Sequence, residues 1–154
     1  MVEFALVFPL VLLLTYGIIE VGRVVFIKAS VTGGTREGAR YGSAVGDVLH
    51  NDPQYADCAG IRLAVKNNAF LMPISDGNIA ISYDRGPGGA QVAASCESLA
   101  AQIAGGNDPI QLGDRIVVHV TAAFTPVISF VGINGFNIVS ENARTILVGV
   151  EFDP

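Results

Sequence analysis

The sequence feature that most constrains the fold is an uncharged run of sixteen residues, from Phe4 to Ile19. As an α-helix this run spans about 24 Å, which is shorter than a hydrocarbon core of about 30 Å. Glu20 and Arg23 follow at i,i+3 spacing, and a neutralised pair is more easily held near a membrane interface than either charge alone. We therefore predict a membrane-spanning helix over residues 4–27.

A secretory signal peptide is the alternative interpretation of this run. Signal peptides have a basic n-region, an apolar core of about 7 to 15 residues and a small-residue cleavage site. Here no basic residue precedes the run, and the run leads directly into a helical continuation. We therefore expect the segment to be retained.

Small residues recur every four positions after the apolar run. They are Ser30, Gly34, Gly38, Gly42 and Gly46. This spacing places them on one stripe of a helix, and each glycine costs about 0.8 to 1 kcal/mol relative to alanine. Such a helix needs close tertiary or subunit contact, which small side chains at this spacing permit. We predict that the helix continues to about Val45; the alternative is a glycine-rich loop after a shorter helix.

The chain divides, on this interpretation, into an N-terminal helix over residues 1–45 and a globular head over residues 46–154. The head is predicted to contain a second helix from about Tyr55 to Leu71, a strand over 79–84, a short helix within 91–104, a strand over 114–124, and a last strand or strand pair over 136–152. Strands without regularly interleaved helices favour an antiparallel sheet. The expected fold class is therefore α+β, with a long apolar helix ahead of a small head.

The charge distribution argues against a nucleic-acid surface. Residues 1–45 carry three acids and four bases, a net charge of +1, whereas the remaining 109 residues carry eleven acids and five bases, a net charge of −6. An acidic head without a cluster of Lys and Arg does not suit a polyanionic partner. We expect no nucleic acid among the partners.

Cys58 and Cys96 are the two cysteines of the chain. Their separation of 38 residues lacks the paired spacing of a zinc site or a redox motif. If the chain is exported, as its first segment suggests, a disulfide is favoured over two free thiols.

No pattern in the sequence indicates catalysis. His50 and His119 are isolated, no GxSxG element occurs, and the glycines near Gly34 and Gly88 lack the strand-to-helix context of a phosphate loop. We therefore predict no catalytic residue, no metal site and no cofactor, and we do not expect an enzyme.

The N-terminal sequence resembles the TadE-like pseudopilin family of the tight-adherence branch of type IV pilus systems. The resemblance is carried by the VEFAL entry at Val2–Leu6, by Pro9, by the G-x-x-E-x-G-R element at Gly17–Arg23 and by REGARY at Arg36–Tyr41. Residues 114–150 resemble the family more loosely.

This resemblance implies a pilin-like protein that is inserted in the cytoplasmic membrane, processed by a prepilin-type peptidase and assembled into a filament at the cell surface. Its implied partners are copies of itself and the pilus assembly machinery. Glu3 would neutralise the N-terminal ammonium of a neighbouring subunit. The family pattern has this glutamate at the fifth mature position, whereas here it is the third residue, so either two residues and a leader precede this sequence or the processing differs.

Elementary physics is compatible with that role for Glu3. A lone carboxylate in hydrocarbon costs about 2.5 kcal/mol or more, and a nearby ammonium offsets much of this cost. Head-to-tail contacts between identical subunits lead to open filaments, and Pro9 is expected to kink or locally unwind the helix. The residues predicted to serve self-assembly are Glu3, Phe4, Pro9, Glu20, Arg23, Gly34, Gly38 and Gly42.

Three functions remain open from the sequence. The first is a structural subunit whose helices form the core of an extracellular filament for surface attachment. The second is a minor pseudopilin that primes or adjusts assembly. The third is a membrane-anchored binding module that recognises a ligand through the loop over residues 125–136.

Overall fold

The computed structural model describes residues 2–48, 52–70, 72–127 and 135–148, apart from the side chains of Val2, Glu3, Asp47, Val48 and Asp52. Its elements are helix α1 (Val2–Gly42), strands β1 (Asp47–Val48) and β2 (Asp52–Pro53), a 3-10 turn (Gln54–Ala56), helix α2 (Cys58–Asn68), a second 3-10 turn (Asp76–Asn78), strands β3 (Ile79–Asp84) and β4 (Gln91–Ala93), helix α3 (Cys96–Ala104), and strands β5 (Arg115–Phe124) and β6 (Phe136–Thr145). The protein is α+β, as predicted.

Helix α1 has two halves with different surroundings. Residues 4–19, which we call the stalk, carry exposed apolar side chains such as Phe4, Leu10 and Leu14. The second half packs on the head through buried side chains at i,i+4 spacing, namely Ile27, Val31, Thr35 and Ala39. One helix thus belongs to the head's core at one end and projects from it at the other.

The helix is unbroken from the stalk through the glycine stripe as far as Gly42. The alternative of a glycine-rich loop after a shorter helix is therefore wrong. The helix ends at Gly42, three residues before the predicted Val45. It also continues through Pro9, so the local unwinding considered for this proline is not present.

Four strands form one antiparallel sheet in the order β4-β3-β5-β6. Strand β5 lies inside it, and Ile116, Val118, Val120 and Ala122 are buried on one face, as their alternation predicts. Strand β6 pairs with β5 along its whole length, from Phe136 opposite Phe124 to Thr145 opposite Arg115. The last strand region is therefore one long strand as far as it is described.

Helix α2 begins three residues later than predicted because Asp57 caps it. The Asp57 side chain accepts a hydrogen bond from the Gly60 amide at 2.9 Å, which satisfies a donor that the first helical turn leaves without a partner. Residues 54–56 form a 3-10 turn instead. Ile61 and Val65 are fully buried, and they lie on the side of α2 that meets α1.

A disulfide joins the N-terminal ends of α2 and α3. Cys58 is the first residue of α2 and Cys96 is the first residue of α3, and their Cα atoms lie 5.7 Å apart. Cys96 is fully buried in the core. The bridge therefore closes a long loop across the side of the head formed by the two short helices.

Candidate functional site

The stalk is the most unusual surface of the molecule. Its side chains are exposed even though they are apolar: Phe4 is 72% exposed, and Leu10 and Ile18 are nearly as exposed. By length and composition the helix that contains them can cross a membrane, and the most apolar part of that helix has no buried residue. A surface of this kind needs lipid or protein around it, since large contiguous apolar patches mark interaction sites.

The predicted assembly residues at the start of the chain lie on this stalk or just before it. The Phe4 ring is stacked on the Phe8 ring with centroids 5.6 Å apart, one helical turn away. Pro9 follows on the same exposed helix. The backbone of Glu3 belongs to α1, while its side chain lies outside the described part of the structure.

Glu20 and Arg23 form an ion pair at the base of the stalk. Arg23 Nη1 lies 2.9 Å from Glu20 Oε2 and 3.0 Å from Oε1, as their i,i+3 spacing predicts. The Tyr16 hydroxyl donates a third hydrogen bond to Glu20 Oε1 at 2.7 Å. The Glu20 side chain is only 14% exposed, so these donors replace water around its carboxylate.

The same pair also contacts the residues that directly follow β5. The Val127 amide donates to Glu20 Oε1 at 3.0 Å, and Arg23 Nη2 lies 3.5 Å from the Thr125 carbonyl oxygen. The Arg23 guanidinium also lies 5.2 Å from the centroid of the Phe124 ring, within the range of a cation–π contact. We call this cluster of helix and hairpin residues the junction.

Sequence reasoning missed the hairpin side of the junction. Tyr16 could have been found, because it lies one turn before Glu20 on the same helix face. Thr125 and Val127 could not, since 102 and 107 residues separate them from their partners on the helix. Only the folded sheet brings them to the helix.

The predicted assembly glycines lie outside the stalk, and other residues of the same chain fill the space beside them. A Cβ atom at Gly34 would meet the Val65 carbonyl oxygen at 2.7 Å, and one at Gly38 would meet Val65 Cγ2 at 2.4 Å. A Cβ at Gly42 would meet Ile116 Cδ1 at 2.4 Å. The close approach that the stripe permits is therefore made by α2 and β5 of the same molecule, and we remove these glycines from the candidate intersubunit surface.

Lys28 protects the outer edge of the sheet. Its ammonium group donates a hydrogen bond to the Val139 carbonyl oxygen on β6, an edge strand. A neighbouring side-chain contact joins Ser140 Oγ and Thr32 Oγ1 at 3.4 Å. Since an uncovered edge invites strand pairing with another chain, α1 blocks part of this edge.

Several charged groups of the head form ion pairs that suit a structural role. Arg115 binds Asp84 with two hydrogen bonds of 2.8 Å, and this hydrogen bonding lowers the pKa of Asp84. In the same way Arg62 lowers the pKa of Glu97. Among the residues that the structure describes, no group of three or more His, Cys, Asp or Glu side chains is placed to hold a metal ion.

Comparison with known proteins bears on the N-terminal part of the chain. Residues 1–40 match the family model described as TadE-like protein. The N-terminal segment is TadE-like. The match covers the stalk, the helical side of the junction and most of the glycine stripe, whereas the looser similarity of residues 114–150 lies outside it. No curated protein and no solved structure matches the chain.

A TadE-like segment that coincides with an apolar, exposed helix is consistent with a pilus-related pseudopilin anchored in a membrane. The TadE-like family is structural rather than catalytic.

Proposed function

We propose that the protein is a pilin-like structural subunit that assembles through its stalk into an extracellular pilus-like filament. Before assembly the stalk lies in the cytoplasmic membrane, and afterwards stalks of many copies pack together in the filament core. The head faces outward and forms the surface that attaches to other surfaces. The prepilin-type peptidase and the assembly machinery act on the chain before it polymerises.

One observation supports this proposal: the stalk is uncharged and its large apolar side chains are exposed, whereas Ile27, Val31 and Ala39 of the same helix are buried against the head. A helix that served only the head would bury its apolar residues there. Lipid covers the stalk in the membrane, and neighbouring stalks replace that lipid in the filament. Moving the stalk from lipid to a bundle of neighbouring stalks changes its hydrophobic free energy little. Other contacts must therefore favour assembly.

Glu3 supplies such a contact in this proposal. Its carboxylate is costly in hydrocarbon, and an ammonium group from a neighbouring chain offsets that cost only when the subunits are assembled. The ion pair thus acts between copies and favours the polymer over the isolated, membrane-inserted chain. Because the carboxylate of one copy would meet the ammonium of the next, the contact is head-to-tail and propagates as an open helix.

Substitution of Glu3 tests this mechanism. Glu3→Ala and Glu3→Gln are both expected to abolish filament formation while membrane insertion stays intact or improves, since both remove the charge. Glu141→Ala is a matched control, because Glu141 is an exposed glutamate of the head. Filament yield in the sheared surface fraction and the amount of chain in the membrane fraction are measured in parallel. Normal filament yield from both Glu3 variants would show that assembly does not need the Glu3 carboxylate and would contradict the proposed ion pair.

A minor pseudopilin that primes or adjusts assembly is the second candidate. It is favoured by the size of the head, which is large beside the very small major pilins typical of tight-adherence systems, and by the glycine stripe being occupied within the chain. A minor component would be present in few copies per filament, yet its deletion would reduce the number of filaments.

A membrane-anchored binding module is the third candidate. Its predicted recognition loop, residues 125–136, lies partly outside the described residues, and Thr125 and Val127 at its start are held against the helix. Loss of filaments on deletion of the chain would argue against this candidate.

A further inference from the structure

Helix α2 presents one large apolar side chain to the outside of the head. Leu63 is 57% exposed, on the side of α2 opposite Ile61 and Val65, which face α1. Ala59 and Asn67 lie one turn before and one turn after Leu63, and they are exposed too. We call Ala59, Leu63 and Asn67 the α2 ridge. It is a narrow surface with an apolar centre.

A shallow hollow lies on each side of the α2 ridge, and Leu63 lines both of them. The first hollow contains two cations and one acid, a net charge of +1, from Arg62, Lys66 and Asp76. The charged residue that lines the second hollow is Glu37, which gives it a net charge of −1. The ridge therefore separates two hollows of opposite charge.

Helices α1 and α2 run in opposite directions with a small angle between them. A Cβ atom at Gly34 would lie 3.0 Å from Ala69 Cβ, and one at Gly42 would lie 3.1 Å from Ile61 Cδ1. Contact over two helical turns requires nearly aligned axes. If the stalk crosses the membrane, as proposed above, α2 also lies along the membrane normal and runs in the same direction in every copy.

Two copies anchored in one bilayer can face each other through the same surface only about a two-fold axis along the membrane normal. Any other two-fold axis would point the two stalks in different directions. When the axis runs along α2, opposite sides of the two ridges meet. The first hollow of each copy then faces the second hollow of the other, so hollows of opposite charge are brought together.

The heights of the charged groups along the helices agree with this arrangement. Gly34 and Gly38 both approach Val65, so Glu37 between them lies level with Val65 and with its neighbour Lys66. Rotation about an axis along the helices leaves heights unchanged. It therefore brings Lys66 of each copy opposite Glu37 of the other, with the two ridges between these pairs.

Both charged groups have room for a further contact. The Lys66 side chain is 35% exposed although it binds Asp76, and the Glu37 side chain is 30% exposed although it binds Arg40. An apolar centre with a polar rim is the usual composition of a protein interface. Anchoring in one bilayer also raises the effective concentration of the heads, so that a small surface suffices.

We propose that the α2 ridge is the contact surface of a two-fold dimer of this chain in the membrane. Leu63 of both copies lies at the centre, and an ion pair between Lys66 and Glu37 lies on either side. Because both copies use the same surface, the contact closes and cannot extend. The dimer therefore belongs to the membrane-anchored chain before assembly and not to the filament.

Photo-crosslinking of the full chain in phosphatidylcholine vesicles tests this proposal. The photo-reactive amino acid p-benzoylphenylalanine replaces Leu63 in one variant and Ala80 in a control variant. Ala80 is also exposed, but it alternates with the buried Ile79 and Ile81 and so lies on the sheet face that points away from α1. An alkaline carbonate wash removes chains that are not inserted, and the inserted amount is measured before illumination.

The proposal predicts an adduct of twice the chain mass from position 63, and only the background of random encounters from position 80. If the chain withstands the wash but both positions give equal amounts of adduct, the dimer is wrong while membrane insertion stands. If the wash removes the chain, the proposed membrane insertion fails and the dimer fails with it. An adduct between position 63 and lipid would place the ridge on the bilayer and would also overturn the dimer.

Carbodiimide coupling tests the ion pairs in the chain that retains Leu63. This reagent joins an amine to a carboxylate in direct contact, and the expected product is a covalent dimer in which Lys66 is linked to Glu37. Lys66→Glu is expected to abolish this dimer. Adding Glu37→Lys to Lys66→Glu is expected to restore it, because the exchanged charges meet again across the axis.

The restoring variant separates the contact between copies from effects within one chain. A loss that came from the broken Lys66–Asp76 pair would not be restored by Glu37→Lys. Arg85→Glu is the control, since it reverses an exposed charge on the turn between β3 and β4 and should leave the dimer unchanged. An undiminished dimer in Lys66→Glu, or no dimer in the double variant, would contradict the proposed arrangement.

Discussion

At the scale of single residues, the ion pairs of the head join different elements of the fold. Asp84 and Arg115 lie opposite each other on β3 and β5, so the pair closes the end of that strand pairing. Lys66 on α2 binds Asp76 at 2.7 Å, which attaches the helix to the turn before β3. These contacts contribute to stability only while the carboxylates are ionised.

The Asp84–Arg115 pair predicts a pH-dependent contribution to stability. Because Arg115 lowers the pKa of Asp84 below its value in the unfolded chain, the pair stabilises the fold above about pH 4 and loses this effect as the pH falls through the folded-state pKa. Arg115→Gln should therefore lower the free energy of unfolding by about 1 kcal/mol at neutral pH. The difference from the unsubstituted protein should shrink in acid.

Denaturant unfolding of the detergent-solubilised chain at about pH 7 and about pH 3 measures this difference. Arg85→Gln is the control, because Arg85 is an exposed arginine close by that contacts the uncharged Gln111 at 3.3 Å. If Arg115→Gln lowers the free energy of unfolding equally at both pH values, its effect comes from packing and not from charge.

Tyr83 is a buried residue whose pKa is raised, in contrast to the lowered pKa of Asp84. Its side chain is fully buried, its hydroxyl donates to the Tyr55 carbonyl oxygen, and burial raises the pKa of Tyr83. The hydroxyl stays protonated, so this buried tyrosine acts as a hydrogen-bond donor in the core.

At the scale of elements, alternation and helical spacing in the sequence were sufficient to predict the main helix and the central strand. The alternating residues of β5 are buried on one face, and the helix runs through its glycines as expected. Spacing alone could not reveal which chain approaches the glycines, because a stripe of small residues fits a neighbouring subunit and a neighbouring helix equally well. The positions of Val65 on α2 and Ile116 on β5 decide it.

Two adjacent glycines of α1 provide a matched test of the contact with α2. At Gly34 a Cβ would lie 2.7 Å from the Val65 carbonyl oxygen, whereas at Gly33 nothing lies within 4 Å. Gly34→Ala should therefore force the helices apart and lower the free energy of unfolding by about 1 to 3 kcal/mol. Gly33→Ala should leave stability unchanged or raise it by up to about 1 kcal/mol.

Urea unfolding of both glycine variants, followed by circular dichroism, measures the difference. If Gly34→Ala is as stable as Gly33→Ala and instead only impairs filament formation, the stripe serves a contact between subunits and the intramolecular assignment is wrong.

Removing the disulfide between the two short helices is expected to lower the free energy of unfolding more than the substitutions above. Replacing Cys58 and Cys96 together by alanine should lower the free energy of unfolding by about 3 to 4 kcal/mol, because the bridge restricts a long loop in the unfolded chain. Intact-mass measurement with thiol alkylation, before and after reduction, checks the bridge in the unsubstituted protein. Two freely alkylated thiols without reduction would contradict it.

At the scale of the whole molecule, one helix links two environments. Its second half is part of the head's core, and its first half is the exposed stalk of the same continuous helix. The junction adds a second link, between the hairpin and the base of the stalk. Neither the partner of Glu20 on the hairpin nor the orientation of the head could be read from the sequence, because both depend on contacts over more than a hundred residues.

The proposed assembly depends on this division of the helix. The exposed apolar side chains of the stalk would pack against other stalks, whereas the glycines of the stripe already contact α2 and β5 of the same molecule. The proposal therefore predicts that assembly depends on the chain's first twenty residues and that exposed head substitutions, such as Glu141→Ala, leave it intact.

The share of this chain in purified surface filaments tests the central claim most directly. Filaments are sheared from cells, sedimented and quantified by mass spectrometry against an internal standard. The account predicts that this chain makes up most of the filament mass. Recovery of the chain only as a detergent-solubilised monomer, with filaments unchanged when it is deleted, would contradict it.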